Sequence, residues 1–200
     1  GRKPAAPIQW KTLAELSSAY WFVVAAGGIF TLARFSEAFL ILRAQQQGLP
    51  DSYAPLVLVV MNVVYALSAY PLGKLADRMS HMVLLNCGLV TLVIADLVLA
   101  QAQGLTAVAL GVSLWGLHLG MTQGLLATMV ADTAPAHLRG TAFGFFNLAS
   151  GIAMLIASVL AGVLWDQFGA AVTFYGGAAI SVAAVALLAW GGMRDNVRVR

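Results

Sequence analysis

The sequence predicts an all-α membrane protein built as a bundle of six transmembrane helices. Three observations carry this expectation. Of 200 residues, 60% are hydrophobic and only 10% charged, with a mean hydropathy of +0.86, whereas a soluble domain carries roughly 25% charged residues to make a solvated surface. Six segments are largely apolar over about the 20 residues that a bilayer-crossing helix needs. Short polar breaks rich in glycine, proline and charge separate them. The lipid bilayer is therefore the expected main solvent.

Residues 1–17 read as a linker. "GRKPAAPIQWKTLAEL" has a basic start and two early prolines but no apolar core, so it is unlike a signal peptide, and it begins at Gly1 rather than methionine. It reads as the middle of a longer chain. The first span, Ser18–Leu42, ends at "QQQGLPDSY", and the second, Ala54–Leu75, at "ADRMSH". The third, Met82–Ala100, ends at "QAQG", and the fourth, Leu105–Val130, at "ADTAPAHLRG". Thr141–Leu164 closes on "WDQFG", and Ala171–Trp190 completes a membrane domain over 18–193, with 194–200 as a tail. Each break supplies the turn residues that stop a helix.

Charge sets the expected direction. Arg2, Lys3, Lys11, Lys74, Arg78, Arg139, Arg194, Arg198 and Arg200 fall on one side, and only Arg43 marks the other. Positive charge collects on the cytoplasmic face, so both termini are expected there. The net charge of +3 is scattered over short breaks rather than gathered in a patch, which argues against nucleic acid as a partner. The single Cys87 can form neither an intrachain disulfide nor a multi-cysteine metal site. No metal or cofactor is expected.

Small residues at four-residue spacing mark helix contacts within a membrane. Gly116, Gly120 and Gly124 form such a stripe in the fourth span, and Gly140 with Gly144, and Ser158 with Gly162, do so in the fifth. Three spans followed by three, entering from opposite sides, also suggest a 3+3 inverted repeat, in which the first and fourth spans are counterparts.

The loop "PLGKLADRMSHMVLL", from Pro71 to Leu85, is chemically specific. Gly73, Leu75, Asp77 and Arg78 resemble the opening of the cytoplasmic loop motif of the major facilitator superfamily, although Ser80, His81 and Met82 replace its closing glycine and basic residues. "PAHLRGTAFGFFN" is similar to that family's entry into its eleventh helix, with Arg139-Gly140 at the start. The resemblance implies helices seven to twelve of a twelve-helix transporter in a bacterial inner membrane, with an amino-terminal six-helix half as partner. It further implies that Gly73, Asp77, Arg78 and Arg139 serve a cytoplasmic gate. Physically, Gly73 would let helices approach closely, Asp77 could cap a neighbouring helix, and Arg78 could pair with an acid.

Within the spans, Gly27, Thr31, Arg34 and Glu37 form one stripe at helical spacing. A charge inside the bilayer costs about 2.5–3.5 kcal/mol on insertion scales, so it normally faces protein or water. Arg34 and Glu37 either pair at i,i+3, or reach outward to the interface, or line a cavity where Arg34 attracts an anionic group or Glu37 carries a proton. The implied place of a seventh helix on the cavity wall favours the third reading. Asn62 and Tyr65 share a face of the second span. In the fourth, Gln123 lies on the glycine stripe while His118 and Thr122 point the other way, and in the fifth Asn147, Ser150 and Gly151 cluster in projection. Asp96, Asp132 and Asp166 read as span ends.

The expected function is secondary transport of a small solute by alternating access, coupled to protons or another ion, with Glu37 and His118 as candidate proton carriers. The sequence holds no Gly-x-x-x-x-Gly-Lys-Ser/Thr loop for ATP. A complete six-span channel or dimeric carrier is the alternative. An intramembrane enzyme would need a nucleophile and base, for which Ser150 and His118 are the available pair, but neither sits in a catalytic motif, and no enzymatic activity is expected.

Overall fold

A computed structural model describes residue 13 and residues 15–198, with side chains through residue 188. Expectations for the rest of the linker, and for the side chains of Arg194, Arg198 and Arg200, lie outside the described residues. The described chain is helical throughout: α1 (Ser18–Ala33), α2 (Ala38–Gln46), α3 (Ala54–Ala76), α4 (His81–Ala100), α5 (Leu105–Thr133), α6 (Arg139–Phe168) and α7 (Ala170–Arg198). Two 3-10 turns, Asp51–Tyr53 and Ala136–Leu138, lead into α3 and α6. Taken with α2, α1 makes one span, and six spans long and apolar enough to cross a membrane result. Gly48, Gly104 and Gly169 close three of the breaks with positive φ, a conformation that glycine adopts without a Cβ penalty.

The helices pack α3 on α5, α5 on α4, α4 on α7, and α1 against α6 and α7. The α3–α5 contact rests on small residues. A Cβ on Gly116 would collide with the Met61 carbonyl, and one on Gly120 with Ser68 Oγ. Backbone thus meets backbone closely enough for dispersion contacts that the bilayer alone would not drive. Gly124, Gly140 and Gly144 have open space at the same test, so that part of the small-residue pattern makes no helix contact among the described residues.

The first span is the main departure from the sequence expectation. It is not one helix through Leu42 but two, broken at Arg34–Glu37. Arg34 has extended backbone (φ −113°, ψ 106°), and its N–H reaches back to Thr31 O at 3.2 Å. Two more of the freed N–H groups find side-chain partners, the kind of compensation that a break within a bilayer calls for. Ser36 N–H donates to Ser158 Oγ at 3.2 Å, and Ala38 N–H to Ser36 Oγ at 3.3 Å. The Ser158–Gly162 pair therefore serves the break, with Gly162 against Phe39. Phe35 turns inward and is 4% exposed, its ring 5.3 Å from those of Phe39 and Trp115 and 5.5 Å from that of Phe174. The Gly27–Thr31–Arg34–Glu37 stripe consequently stops at Arg34.

Two charged residues differ from their expected roles. Asp96 is fully buried rather than interfacial, because α7 crosses α4 at Gly177 and leaves just enough room for the carboxylate beside Phe35. Neither of its oxygens has a hydrogen-bond partner. Arg43 does more than mark the end of a span. It donates from Nε to Leu99 O at 2.9 Å and from Nη2 to Ala100 O and Ala102 O at 3.1 Å each, which closes the carboxy-terminal end of α4.

Candidate functional site

A cavity of about 330 Å³ lies between α1, α5 and α6, within the size range of small-molecule sites. Its polar lining is Thr31, Arg34, His118, Thr122, Gln123, Asn147 and Ser150, and its apolar walls include Phe30, Phe143, Phe146 and Met154. The residues arrive there for local reasons. Breaking α1 leaves Arg34 at a helix carboxy-terminus, where the negative end of the macrodipole favours a cation. On α6 the positions 147, 150 and 151 share a face by helical spacing, and all three reach the cavity.

His118 is held firmly. It is 1% exposed, its ring stacks on Phe30 at 5.9 Å, and its Nδ1 lies 2.8 Å from Gly88 O. A carbonyl only accepts, so Nδ1 carries the hydrogen, and Nε2 is left as the acceptor of a neutral ring. Thr122 Oγ1 donates to His118 O at 2.9 Å, and Thr31 Oγ1 to Gly27 O at 2.8 Å, so both hydroxyl protons are committed to backbone. The α4–α5 approach depends on Gly88, whose Cβ would strike Thr122 Cγ2. Gly88→Ala should destabilise the protein by about 1–3 kcal/mol through overpacking. Adding Thr122→Ser, which keeps the hydroxyl but removes the obstructing methyl, should recover most of the loss in thermal melting. A Gly88→Ala protein that melts like wild type would show that the contact relaxes freely.

Arg34, His118, Gln123 and Asn147 are thus brought together, and Glu37, Asn62 and Tyr65 are not. Glu37 is half-buried at the start of α2 and makes no side-chain cap there. Asn62 is exposed and bonds to its own helix at Leu58 O (2.8 Å). Tyr65 lines a second cavity of about 490 Å³ between α3, α4 and α5, which also takes in Gly73, Lys74, Asp77 and His81. No neighbouring helix among the described residues comes within 4 Å of where a Gly73 Cβ would stand. Asp77 and Arg78 are exposed, and Arg139 donates from Nε to Ala131 O at 3.2 Å. No three His, Cys, Asp or Glu side chains gather as a metal-binding set among the described residues. Sequence reasoning passed over Phe30, Phe143, Phe146 and Met154, because an apolar residue in an apolar span carries no signal of which way it faces.

Six apolar spans, three of which frame an open cavity with polar lining, define an integral membrane helix bundle. Residues 20–198 match the Major Facilitator Superfamily, and the chain belongs to it. It is 31% identical over 166 residues to the uncharacterized MFS-type transporter MJ1317 of Methanocaldococcus jannaschii, covering 80% of this chain and 42% of that protein. With the uncharacterized MFS-type transporter YwfA of Bacillus subtilis it shares 31% identity over 134 residues, 66% of this chain and 32% of the relative. The inner membrane transport protein YajR of Escherichia coli is 23% identical over 144 residues, 72% of this chain and 31% of that one. The chain therefore spans less than half the length of these relatives. In fold it is similar to the POT family transporter PepTSo, with a TM-score of 0.69 at 18% identity, over 88% of this chain and 37% of that one.

Proposed function

We propose that this chain is the carboxy-terminal half of a secondary transporter, moving a small solute by alternating access through the cavity between α1, α5 and α6. The observation that carries this reading is the polar lining itself. In a protein that otherwise avoids charge, Arg34, His118, Gln123, Asn147 and Ser150 line one open cavity. Polar groups at membrane depth mark solute or ion paths. We assign the other half of the cavity to an amino-terminal six-helix partner, with the two related halves each built as a 3+3 inverted repeat. Gly73, Asp77, Arg78 and Arg139 belong in this reading to contacts between the halves on the cytoplasmic side, where both termini lie. A cell (inner) membrane location agrees with the printed name of the E. coli relative.

Proton coupling is part of the proposal. His118 is the better placed carrier, since it lines the cavity and its Nε2 is the ring nitrogen left to accept a proton, whereas Glu37 stands at the break. The transport reading can be tested without knowing the solute. In the complete gene product with Cys87→Ser, a cysteine at Ser150 should react with a membrane-impermeant thiol reagent in right-side-out vesicles and, separately, in inside-out vesicles. Stabilising either face with a conformation-specific binder should suppress labelling from the opposite side. Labelling from one face only under all conditions would end the alternating-access reading, and simultaneous access from both would indicate a channel.

A further inference from the structure

We propose that the transported solute is an anion bearing a carboxylate- or phosphate-type oxyanion, and that Arg34 anchors it; this rests on the transport reading above. Arg34 is the only Asp, Glu, Lys or Arg side chain in the cavity lining. Among the described residues it forms no ion pair within 4.0 Å. Glu37, three residues on at the start of α2, does not line the cavity, whereas His118 does. Among the described residues the cavity wall therefore carries one formal charge, the Arg34 guanidinium.

The neutral groups in the same lining are compatible with that class. The hydroxyl protons of Thr31 and Thr122 and the Nδ1 hydrogen of His118 are already committed to backbone carbonyls. The Gln123 and Asn147 amides and the Ser150 hydroxyl line the same space and make no hydrogen bond within the described chain, so they remain available as donors. The three groups can donate or accept and so can meet an oxyanion, while the Arg34 guanidinium in the same lining donates only and sets the preference for a group that accepts. A cationic solute would face Arg34 with no acid among the described residues that line this cavity, and like-charge juxtaposition disfavours such a partner. The guanidinium at the end of a broken helix also has geometric reason to be arginine, because its fork can take two oxygens at once.

The test uses the complete gene product, purified in detergent, and four ring-matched probes: benzoate, phenylphosphonate, benzamide and benzyltrimethylammonium. Thermal stabilisation is measured against probe concentration. Benzoate or phenylphosphonate should raise the melting temperature, while benzamide and benzyltrimethylammonium should not. Arg34→Gln should weaken the anion response by about tenfold or more, as expected when a charge-assisted bidentate contact is lost. Arg34→Lys should keep the preference for anions at reduced affinity, and it serves as the readout if the glutamine variant fails to fold. Stabilisation by neither anion, an anion response unchanged in both Arg34 variants, or a preference for the cationic probe would each overturn the proposal. So would a large loss of melting temperature in both variants without probe, which would assign Arg34 to an ion pair with the other half. The thiol-labelling experiment needs no probe, so two-sided access with no anion response would remove the anion and leave transport standing. Anion binding with one-sided access would do the reverse.

Discussion

Phe35→Ala should lower stability by about 3–5 kcal/mol, the range for truncating a fully packed aromatic residue. Phe35 is 4% exposed and meets the rings of Phe39, Trp115 and Phe174 at 5.3–5.5 Å. Each such aromatic pair adds about 0.5–1.5 kcal/mol beyond area burial. Phe39 and Phe174 also contact Trp165, so the cluster joins α2, α5, α6 and α7 around the break. The effect should exceed simple cavity formation, because Phe35 holds the two residues on either side of it: Arg34 toward the cavity between α1, α5 and α6, and Ser36 under Ser158. Phe35→Leu refills much of the volume and should recover most of the loss. Thermal melting of the complete gene product in one detergent separates the outcomes, and equal melting of wild type and Phe35→Ala would mean that the break is held by backbone bonds alone.

The same residue explains why the first span was only partly legible in the sequence. Hydropathy located all six spans, since apolar length between polar breaks is a strong local signal. The kink at Arg34–Glu37 contains neither proline nor glycine. The groups that hold it are remote in sequence: Trp115 and Phe174 against Phe35, and Ser158, 122 positions along the chain, which accepts the Ser36 amide. A local trace did exist, because serine followed by glutamate ahead of "AFLILR" has the look of a helix start. Asp96 was misplaced for a similar reason: a position five residues before a polar break reads as interfacial unless the helix opposite is known to offer a glycine. Periodicity worked best where one helix supplied the whole pattern, as with Asn147, Ser150 and Gly151 on α6. Asn62 and Tyr65 share a face of α3, but neither lines the cavity that holds Arg34. Which stripe of a lipid-embedded helix looks inward is decided by its neighbours, and in a uniformly apolar span that choice leaves little trace in composition.

Arg43 supports the second large prediction. Its guanidinium donates to three carbonyls at the end of α4, those of Leu99, Ala100 and Ala102, and to Gln46 Oε1 at 3.3 Å. The last carbonyls of any helix lack intrahelical partners, and a cation there also meets the negative end of the dipole. Arg43→Met keeps the aliphatic stem but removes every donor, and should destabilise by about 2–3 kcal/mol. Hydrogen bonds to charged groups contribute about 1.5–3 kcal/mol each, but this side chain is only half-buried, so water will replace part of what is lost. Arg43→Lys should recover less than half of the difference, since a single ammonium cannot fork across three carbonyls. The three proteins should therefore melt in the order arginine, lysine, methionine at fixed salt, and the gap should narrow only slightly as salt rises, because the contacts are hydrogen bonds rather than a screened surface pair. If Arg43→Met melts with wild type while the orientation of the protein in the membrane changes, the residue acts as a topology charge and the clamp on α4 carries no stability.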